Sequence, residues 1–124
     1  MVDHTVKPIV RGDESEVAAA REQFRGAIDL IAGKWKLEIL WLLNQRKHRF
    51  NELRRAIPGI TQHMLTAKLR ELEAAKLIKR TIFPEVPPRV EYEINAAAAR
   101  ALRPVYAALL KWARQIKTTQ QSVD

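Results

Sequence analysis

Residues 61–92 read TQHMLTAKLRELEAAKLIKRTIFPEVPPRVEY, and this stretch decides the fold of the chain. Apolar side chains recur at the spacing of one helix face at Leu65, Leu69 and Leu72. Thr61 is placed to cap that helix, because a threonine hydroxyl accepts hydrogen bonds from the free N–H groups of a first helical turn. The stretch therefore opens with a predicted helix that runs from Thr61 to about Lys76.

After that helix the periodicity changes to two, which is typical of β-strands. We predict a hairpin with strands at about Leu77–Phe83 and Arg89–Ile94. The connecting residues 84–88 include three prolines, which cannot continue a central strand because proline has no N–H to donate. A helix that leads into a short hairpin with basic residues at its loop ends is typical of a winged helix.

Three further helices are predicted before this stretch. The first spans about residues 13–32 and begins with carboxylates, which the helix dipole favours there. The second, about Trp35 to Gln45, is apolar nearly all round and is predicted to be the central buried helix. The third is short, begins near Phe50 and is stopped by Pro58-Gly59. The second and third helices, the connection at residues 58–60 and the helix that begins at Thr61 have the order of a helix-turn-helix.

After the hairpin, Asn95 is placed to cap a last helix over about residues 96–117, and Pro104 should kink or restart it. Residues 1–12 are expected to form a flexible arm and residues 118–124 a flexible tail. Residues 13–117 are then a single domain that is mainly α with a small β-hairpin wing. Its DNA-binding part would cover about residues 34–95, and helices 13–32 and 96–117 would serve dimerisation.

The positive charge of the chain is localised. The 124 residues hold 22 Lys and Arg against 14 Asp and Glu, which gives a net charge of +8. Residues 34–103 hold 15 basic and 7 acidic side chains, so the whole excess lies there, while the flanks hold 7 of each. A localised excess favours a polyanionic partner, although a solvated basic surface without a partner remains the alternative.

Several function classes have no support in the sequence. The chain has no cysteine and three scattered histidines, so neither a metal site nor a cofactor is expected. No nucleophile–base pair, phosphate-binding glycine loop or carboxylate dyad is present, and we therefore expect no enzyme. No apolar stretch approaches the roughly 20 residues of a membrane span, and no signal peptide pattern is found, so we expect a cytoplasmic, nucleoid-associated protein.

The residues also resemble a known family. Matching segments, in order, are Gly33-Lys34-Trp35, Ile39-Leu40, Arg49–Leu53, Pro58-Gly59-Ile60, Met64-Leu65-Thr66, Leu69–Glu73, Leu77-Ile78 with Arg80, and 84–88 with Val90 and Tyr92. Over about residues 24–112 they resemble the HxlR-type (MarR-like) winged helix-turn-helix bacterial transcriptional regulators. The resemblance implies that residues 84–88 belong to a DNA-binding wing. Some such regulators sense oxidants through an N-terminal cysteine, a mechanism that this chain cannot use.

Candidate DNA contacts follow from the helix that begins at Thr61. With its leucines facing the core, the opposite side would read base edges, because the N-terminal part of a recognition helix enters the major groove. The base-reading candidates are Gln62, His63, Thr66, Ala67 and Arg70. Phosphate or wing contacts are predicted for Lys34, Lys36, Arg49, Arg54, Arg55, Lys68, Arg80 and Arg89. Arg89 would enter a minor groove, or would instead pair with Glu91 or Glu93 across the hairpin.

The terminal helices carry more apolar surface than one small core should absorb, and their flanks are neutral. We therefore predict a homodimer that binds an inverted repeat. Its interface candidates are Val17, Phe24, Ile28, Val105, Tyr106, Leu109, Trp112 and Ile116. The stripe of the first helix could instead be used within its own subunit.

The leading hypothesis is thus a homodimeric regulator that binds double-stranded DNA sequence-specifically. The alternative is a winged helix used for protein interaction or RNA binding, without recognition of a duplex sequence. The aromatic residues also suggest a pocket for a small-molecule effector of unidentified kind. Packing is favoured for all of them, because each lies on or beside an apolar stripe: Trp35, Trp41, Tyr106 and Trp112.

Overall fold

The computed structural model describes residues 6–121 and shows five helices and three strands in that part of the chain. In chain order these are α1 (Glu14–Ile31), α2 (Lys36–Gln45), β1 (His48–Arg49), α3 (Phe50–Ala56), α4 (Gln62–Ala74), β2 (Ile78–Phe83), β3 (Arg89–Ile94) and α5 (Ala96–Gln121). The predicted mainly α fold with a hairpin wing and an extra helix at each end is confirmed. The chain divides into two compact units, Met1–Lys34 and Trp35–Asp124.

The first unit is built around α1. Asp13 caps this helix through a hydrogen bond from the Glu16 backbone N–H to its carboxylate at 2.9 Å. Gly33 follows the helix with a φ of 109°, a conformation that a side chain would disfavour. None of the α1 residues is buried. Residues 6–12 contain no helix or strand, and residues 1–5 of the predicted arm lie outside the described part.

The second unit holds the hydrophobic core. Its buried apolar residues come from α2, the helix-turn-helix and the sheet: Trp35, Ile39, Leu40, Leu43, Leu53, Ile57, Ile60, Leu65, Leu69, Leu72, Ile78 and Tyr92. Helix α2 contributes Ile39, Leu40 and Leu43 to this core, while on its other side Trp41 is 39% exposed. On that side Trp41 lies edge-on to the Tyr106 ring, with centroids 5.2 Å apart, and one aromatic ring covers it only in part.

The sheet has three antiparallel strands in the order β1-β3-β2. The predicted hairpin pairs Ile78 with Ile94 and Phe83 with Arg89 at its two ends. Strand β1 was not predicted, because two residues show no periodicity, and its His48 is polar yet only 5% exposed. The Nδ1 atom of His48 lies 2.8 Å from the Arg46 carbonyl oxygen, which only accepts, so Nδ1 carries the hydrogen.

The last helix begins as predicted and continues further. The Asn95 side chain accepts hydrogen bonds from the N–H groups of Ala97 at 2.9 Å and Ala98 at 3.2 Å, which confirms the cap. The expected restart at Pro104 is wrong, since α5 is one helix through that residue. Packing on both sides of the proline holds it: Asn44 donates to the Ala99 carbonyl at 3.3 Å, and the Tyr106 hydroxyl donates to the Leu37 carbonyl at 2.7 Å.

The predicted end of α5 at residue 117 is also wrong, because the helix continues through Gln121. Threonine hydroxyls bond back to the preceding turn there, from Thr118 to the Arg114 carbonyl at 3.1 Å and from Thr119 to the Gln115 carbonyl at 3.0 Å. Residues 118–121 are therefore helical rather than part of a loose tail. Residues 122–124 lie outside the described part.

Candidate DNA interface

The turn between α3 and α4 sets the direction of α4. Gly59 has a φ of 87°, in the left-handed region that favours glycine, and the Ile60 N–H donates to the Ile57 carbonyl at 3.3 Å. Thr61 then caps α4 as predicted, accepting from the Met64 N–H at 3.1 Å. Ile57 and Ile60 are buried on either side of the glycine, so the connection is fixed from the inside. Helices α3 and α4 thus form the predicted helix-turn-helix.

One side of α4 is buried and the other is open. Leu65, Leu69 and Leu72 are at most 2% exposed. On the opposite side Gln62, His63 and Arg70 are exposed, and Thr66 and Ala67 are half-buried. The first turn of α4 contains no acidic residue, and its N–H groups add partial positive charge. All five base-reading candidates therefore lie on a surface that an anionic groove can approach.

Two arginines flank this surface from α3. Arg54 and Arg55 occupy the last turn of that helix and are exposed. Within residues 6–121 neither side chain takes part in a hydrogen bond or an ion pair. Together with Pro58 and Gly59 they line a shallow concavity beside the turn. Their charges are thus available to a partner at the side of α4.

Glu71 holds two of the predicted phosphate-binding lysines. Its Oε2 atom lies 3.2 Å from the Lys36 Nζ and 3.4 Å from the Lys68 Nζ. The hydrogen bond from Lys36 is the main reason why the pKa of this carboxyl is lowered, and Lys68 adds to it. The three groups together carry one net positive charge. This pairing links the start of α2 to α4 and leaves the lysines less free than Arg54 and Arg55.

The other predicted phosphate contacts are exposed but have different surroundings. The Arg49 side chain is exposed, while its backbone N–H donates to Glu52 at 2.8 Å and is the largest cause of that carboxyl's lowered pKa. Arg80 is exposed and lies 3.9 Å from Glu73. Lys34 is exposed and belongs to the first unit.

Arg89 is bound by other residues of the wing. Its guanidinium carbon lies 4.1 Å from the centre of the Phe83 ring. The two terminal nitrogens lie 3.1 Å from a Glu85 oxygen and 3.3 Å from a Glu91 oxygen. The sequence left open whether Arg89 reaches a groove or pairs across the hairpin. In the structure it pairs with Glu91, and it also pairs with Glu85, which the sequence did not suggest.

The interface candidates on the terminal helices are mostly uncovered. Exposed fractions are 41%, 65% and 38% for Val17, Phe24 and Ile28 of α1. On α5 the exposed fractions are 39–41% for Val105 and Leu109, 58% for Trp112 and 38% for Ile116. Tyr106 differs from these residues, because it is half-buried and its hydroxyl is bound to α2, so it also supports its own subunit.

Sequence reasoning missed several charged and polar side chains around the sheet. The carboxylate oxygens of Glu93 lie 3.8 Å from the Lys47 Nζ and 3.4 Å from the Lys79 Nζ. These ion pairs link the residue that precedes β1 to both wing strands. Asn51 lines the same concavity as Arg54 and Arg55. Their positions depend on strand register, for which the sequence offers only the alternation along β2 and β3.

Neither a metal site nor a membrane-spanning helix is found in the described residues. Between residues 6 and 121, no group of three or more His, Asp or Glu side chains is arranged to hold a metal ion. In the same part of the chain, no helix is both long and apolar enough to cross a membrane. The exposed face of α4 and its basic surroundings are therefore the strongest candidate site.

Known proteins share this arrangement. The sequence profile of the HxlR-like helix-turn-helix family matches residues 30–121. The chain belongs to this family. An HTH-type transcriptional regulator of Methanothermobacter thermautotrophicus is 45% identical over 96 residues, which cover 77% of this chain and 72% of the relative. The HTH-type transcriptional regulator YybR of Bacillus subtilis is 40% identical over 95 residues, 77% of this chain and 75% of YybR.

A solved structure extends the comparison to three dimensions. The redox regulator HypR in its reduced form superposes with a TM-score of 0.73 at 38% identity, covering 81% of this chain and 98% of HypR. Like its relatives, this HxlR-like protein is a DNA-binding transcriptional regulator. It has no cysteine anywhere in its sequence, so its own chain offers no thiol to a redox signal.

Proposed function

We propose that this HxlR-like protein binds double-stranded DNA sequence-specifically, as a homodimer on an inverted-repeat operator. The observation that carries the proposal is the open face of α4, which has no carboxylate in its first turn and is flanked by two unpaired arginines. A helix presented in this way fits the major groove, with its N-terminal residues toward the base edges. The excess charge of +8 in residues 34–103 supports the same partner.

Within this proposal, five residues of α4 read bases. The Gln62 amide offers a donor and an acceptor for an adenine edge, and the Arg70 guanidinium offers two donors for a guanine edge. Thr66 and Ala67 are half-buried, with small apolar groups suited to a thymine methyl. His63 is exposed beside Gln62 and contacts the groove through its ring nitrogens.

The phosphate contacts surround this face. Arg54 and Arg55 are the primary ones, because no carboxylate in the described residues competes for them. Lys36 and Lys68 contribute less, since both are held by Glu71. Lys34, Arg49 and Arg80 are exposed and supply further positive charge. Such contacts fix the position of the protein on the duplex without reading its sequence.

The proposed dimer uses the apolar faces of α1 and α5. Large apolar side chains that are 38–65% exposed on both helices support an interface, since single domains rarely leave such stripes open to water. The flanks that carry them hold 7 basic and 7 acidic residues, so two copies meet without strong repulsion. Two-fold symmetry would place two α4 helices about 34–36 Å apart, or a multiple of it, on one side of the duplex.

The test begins with selection of bound duplexes from a random pool, followed by titration against the selected and a scrambled duplex at several salt concentrations. Arg55→Ala should weaken binding to both duplexes and reduce the salt slope by about 0.9 per lost phosphate contact. Gln62→Ala should reduce the preference for the selected duplex, at about 1–3 kcal/mol per lost base pair contact. Arg114→Ala, a charge change on the distal part of α5, is the control and should change neither quantity.

The proposal fails if selection enriches no sequence, or if both variants change affinity for the two duplexes equally. Tighter binding to single-stranded RNA than to any duplex would instead favour the RNA-binding alternative. If Gln62→Ala keeps the full preference for the selected duplex, as Arg55→Ala should, the residues that read the sequence lie elsewhere.

A further inference from the structure

The guanidinium of Arg89 is bound by other residues of the wing. Arg89 is the first residue of β3 and pairs in register with Phe83, the last residue of β2. Its guanidinium lies over the Phe83 ring at 4.1 Å and meets the Glu85 and Glu91 carboxylates at 3.1 and 3.3 Å. The side chain is only 29% exposed. One arginine therefore joins the end of β2, the connecting loop and β3.

The rest of the wing loop has few internal attachments. Residues 84–88 are exposed, and Val86 is fully so at 101%. The Glu85 N–H donates to the Phe83 carbonyl at 2.8 Å, which fixes only the first bend. The Arg89–Glu85 ion pair adds a side-chain connection between this exposed loop and the first residue of β3.

The charges of the cluster argue against a phosphate contact by Arg89. One guanidinium and two carboxylates carry a net charge of −1, and the arginine faces its partners rather than water. The planar guanidinium can stack on a ring and bind two carboxylates at once, which an ammonium group cannot do in the same way. Arg55, which forms no ion pair in the described residues, lies beside the wing and lines one concavity with Pro88, Arg89 and Val90.

We propose that Arg89 is a positioning residue, which latches the wing against the sheet so that the loop meets DNA in one conformation. Its effect on DNA affinity is then indirect, through the order of residues 83–89. This inference rests on the proposed function for its DNA readout, because an ordered wing matters only where the wing touches a partner. The latch itself is a property of the free protein and is tested there first.

The first experiment measures amide hydrogen exchange of residues 83–91 in the free protein. Arg89→Ala should speed exchange in the wing by about five- to tenfold, the effect of losing one cation–π contact and two partly exposed ion pairs. Arg89→Lys should speed it to a similar extent, because the positive charge is kept but the fork geometry is lost. Unchanged wing exchange in both variants would overturn the latch, whatever DNA binding shows.

The second experiment uses a pair of matched substitutions on one face of β3. Glu91→Gln removes a partner of Arg89, whereas Glu93→Gln removes the same charge from a residue that pairs with Lys47 and Lys79. If Arg89 contacted phosphate directly, both variants would bind DNA more tightly, since both remove negative charge. The latch predicts about threefold weaker binding for Glu91→Gln, with an unchanged salt slope, and equal or tighter binding for Glu93→Gln.

The two experiments also separate this inference from the proposed function. Faster wing exchange in Arg89→Ala, in a protein that prefers no duplex sequence, would support the latch and contradict the proposed function. Tighter DNA binding by Glu91→Gln, or a salt slope reduced by about one in Arg89→Ala, would instead assign Arg89 to phosphate and overturn the latch.

Discussion

Helices α4 and α5 carry the same kind of apolar stripe but use it differently. Leu65, Leu69 and Leu72 of α4 are at most 2% exposed, whereas Val105, Leu109 and Ile116 of α5 are 38–41% exposed. Both patterns repeat every three to four residues, so periodicity alone does not distinguish them. The difference shows that an amphipathic stripe indicates only that a face will be covered, and not whether its own chain covers it.

The surroundings of the two helices explain the difference. The three leucines of α4 belong to the core, together with buried residues of α2, α3 and β2. Helix α5 is fastened to α2 only in its first half, through the hydrogen bonds of Ala99 and Tyr106, and residues 107–120 are all exposed. We therefore expect substitutions in the two stripes to change different properties of the protein.

The largest effect is expected in the α4 stripe. Leu69→Ala should lower the free energy of unfolding by about 2–5 kcal/mol, because it removes buried methyl groups and leaves a cavity. Urea unfolding followed by circular dichroism measures this loss. Met64→Ala, on the same helix at 40% exposure, is the control and should cost well under that amount. A Leu69→Ala variant as stable as the wild type would contradict the assignment of this stripe to the core.

Substitutions in the α5 stripe should change the oligomeric state of the protein rather than its folding. Leu109→Glu should give a folded protein with the mass of one chain, since a charge placed at a proposed interface opposes association while the face is open to water in the single chain. Light scattering and circular dichroism report mass and helix content together. Lys111→Glu changes the charge two residues further along, on the other side of α5, and should remain dimeric. Loss of helix content in Leu109→Glu alone would mean that this stripe supports the fold.

A smaller effect is expected where α5 meets α2. Burial raises the pKa of Tyr106 to about 12, so the folded chain favours the neutral hydroxyl. This contribution to stability is complete below pH 10 and is lost as the pH rises toward 12, because the unfolded chain ionises first. Tyr106→Phe should remove that part of the alkaline loss and cost about 1 kcal/mol at neutral pH through the missing hydrogen bond. Unfolding curves across pH 8–12 for both proteins make the comparison.

The smallest expected effect is that of thiol oxidants. Diamide should leave DNA binding unchanged, because the only sulfur atoms belong to Met1 and Met64. Binding curves with and without diamide measure this directly. A loss of binding that a thiol reductant reverses would place a redox sensor in a partner protein.

Much of the second unit could be predicted from sequence, because its local signals agree with its packing. Thr61 and Asn95 both cap helices as expected, and the prolines after Phe83 separate the two wing strands where the pairing ends. The exposed side of α4 followed from the three leucines that had to face inward. Each of these inferences needs only neighbours in sequence.

The missed features depend on contacts between distant residues. Strand β1 exists because His48 and Arg49 pair with Tyr92 and Glu91, more than forty positions away. Continuity of α5 through Pro104 depends on its bonds to α2. The ion pairs of Glu93 with Lys47 and Lys79 depend on the register of the sheet. No periodic pattern in the sequence records such pairings.

The most direct test of the central claim, that the open α5 stripe serves assembly on DNA, is the mass of the wild-type protein alone and on its selected duplex. Light scattering at micromolar concentration should report twice the 14.3 kDa chain mass for the free protein. On a duplex with two half-sites it should report two chains per duplex, with half-site centres about 34–36 Å, or a multiple of it, apart. A folded 14.3 kDa monomer that binds a single half-site as tightly as the full repeat would contradict the account.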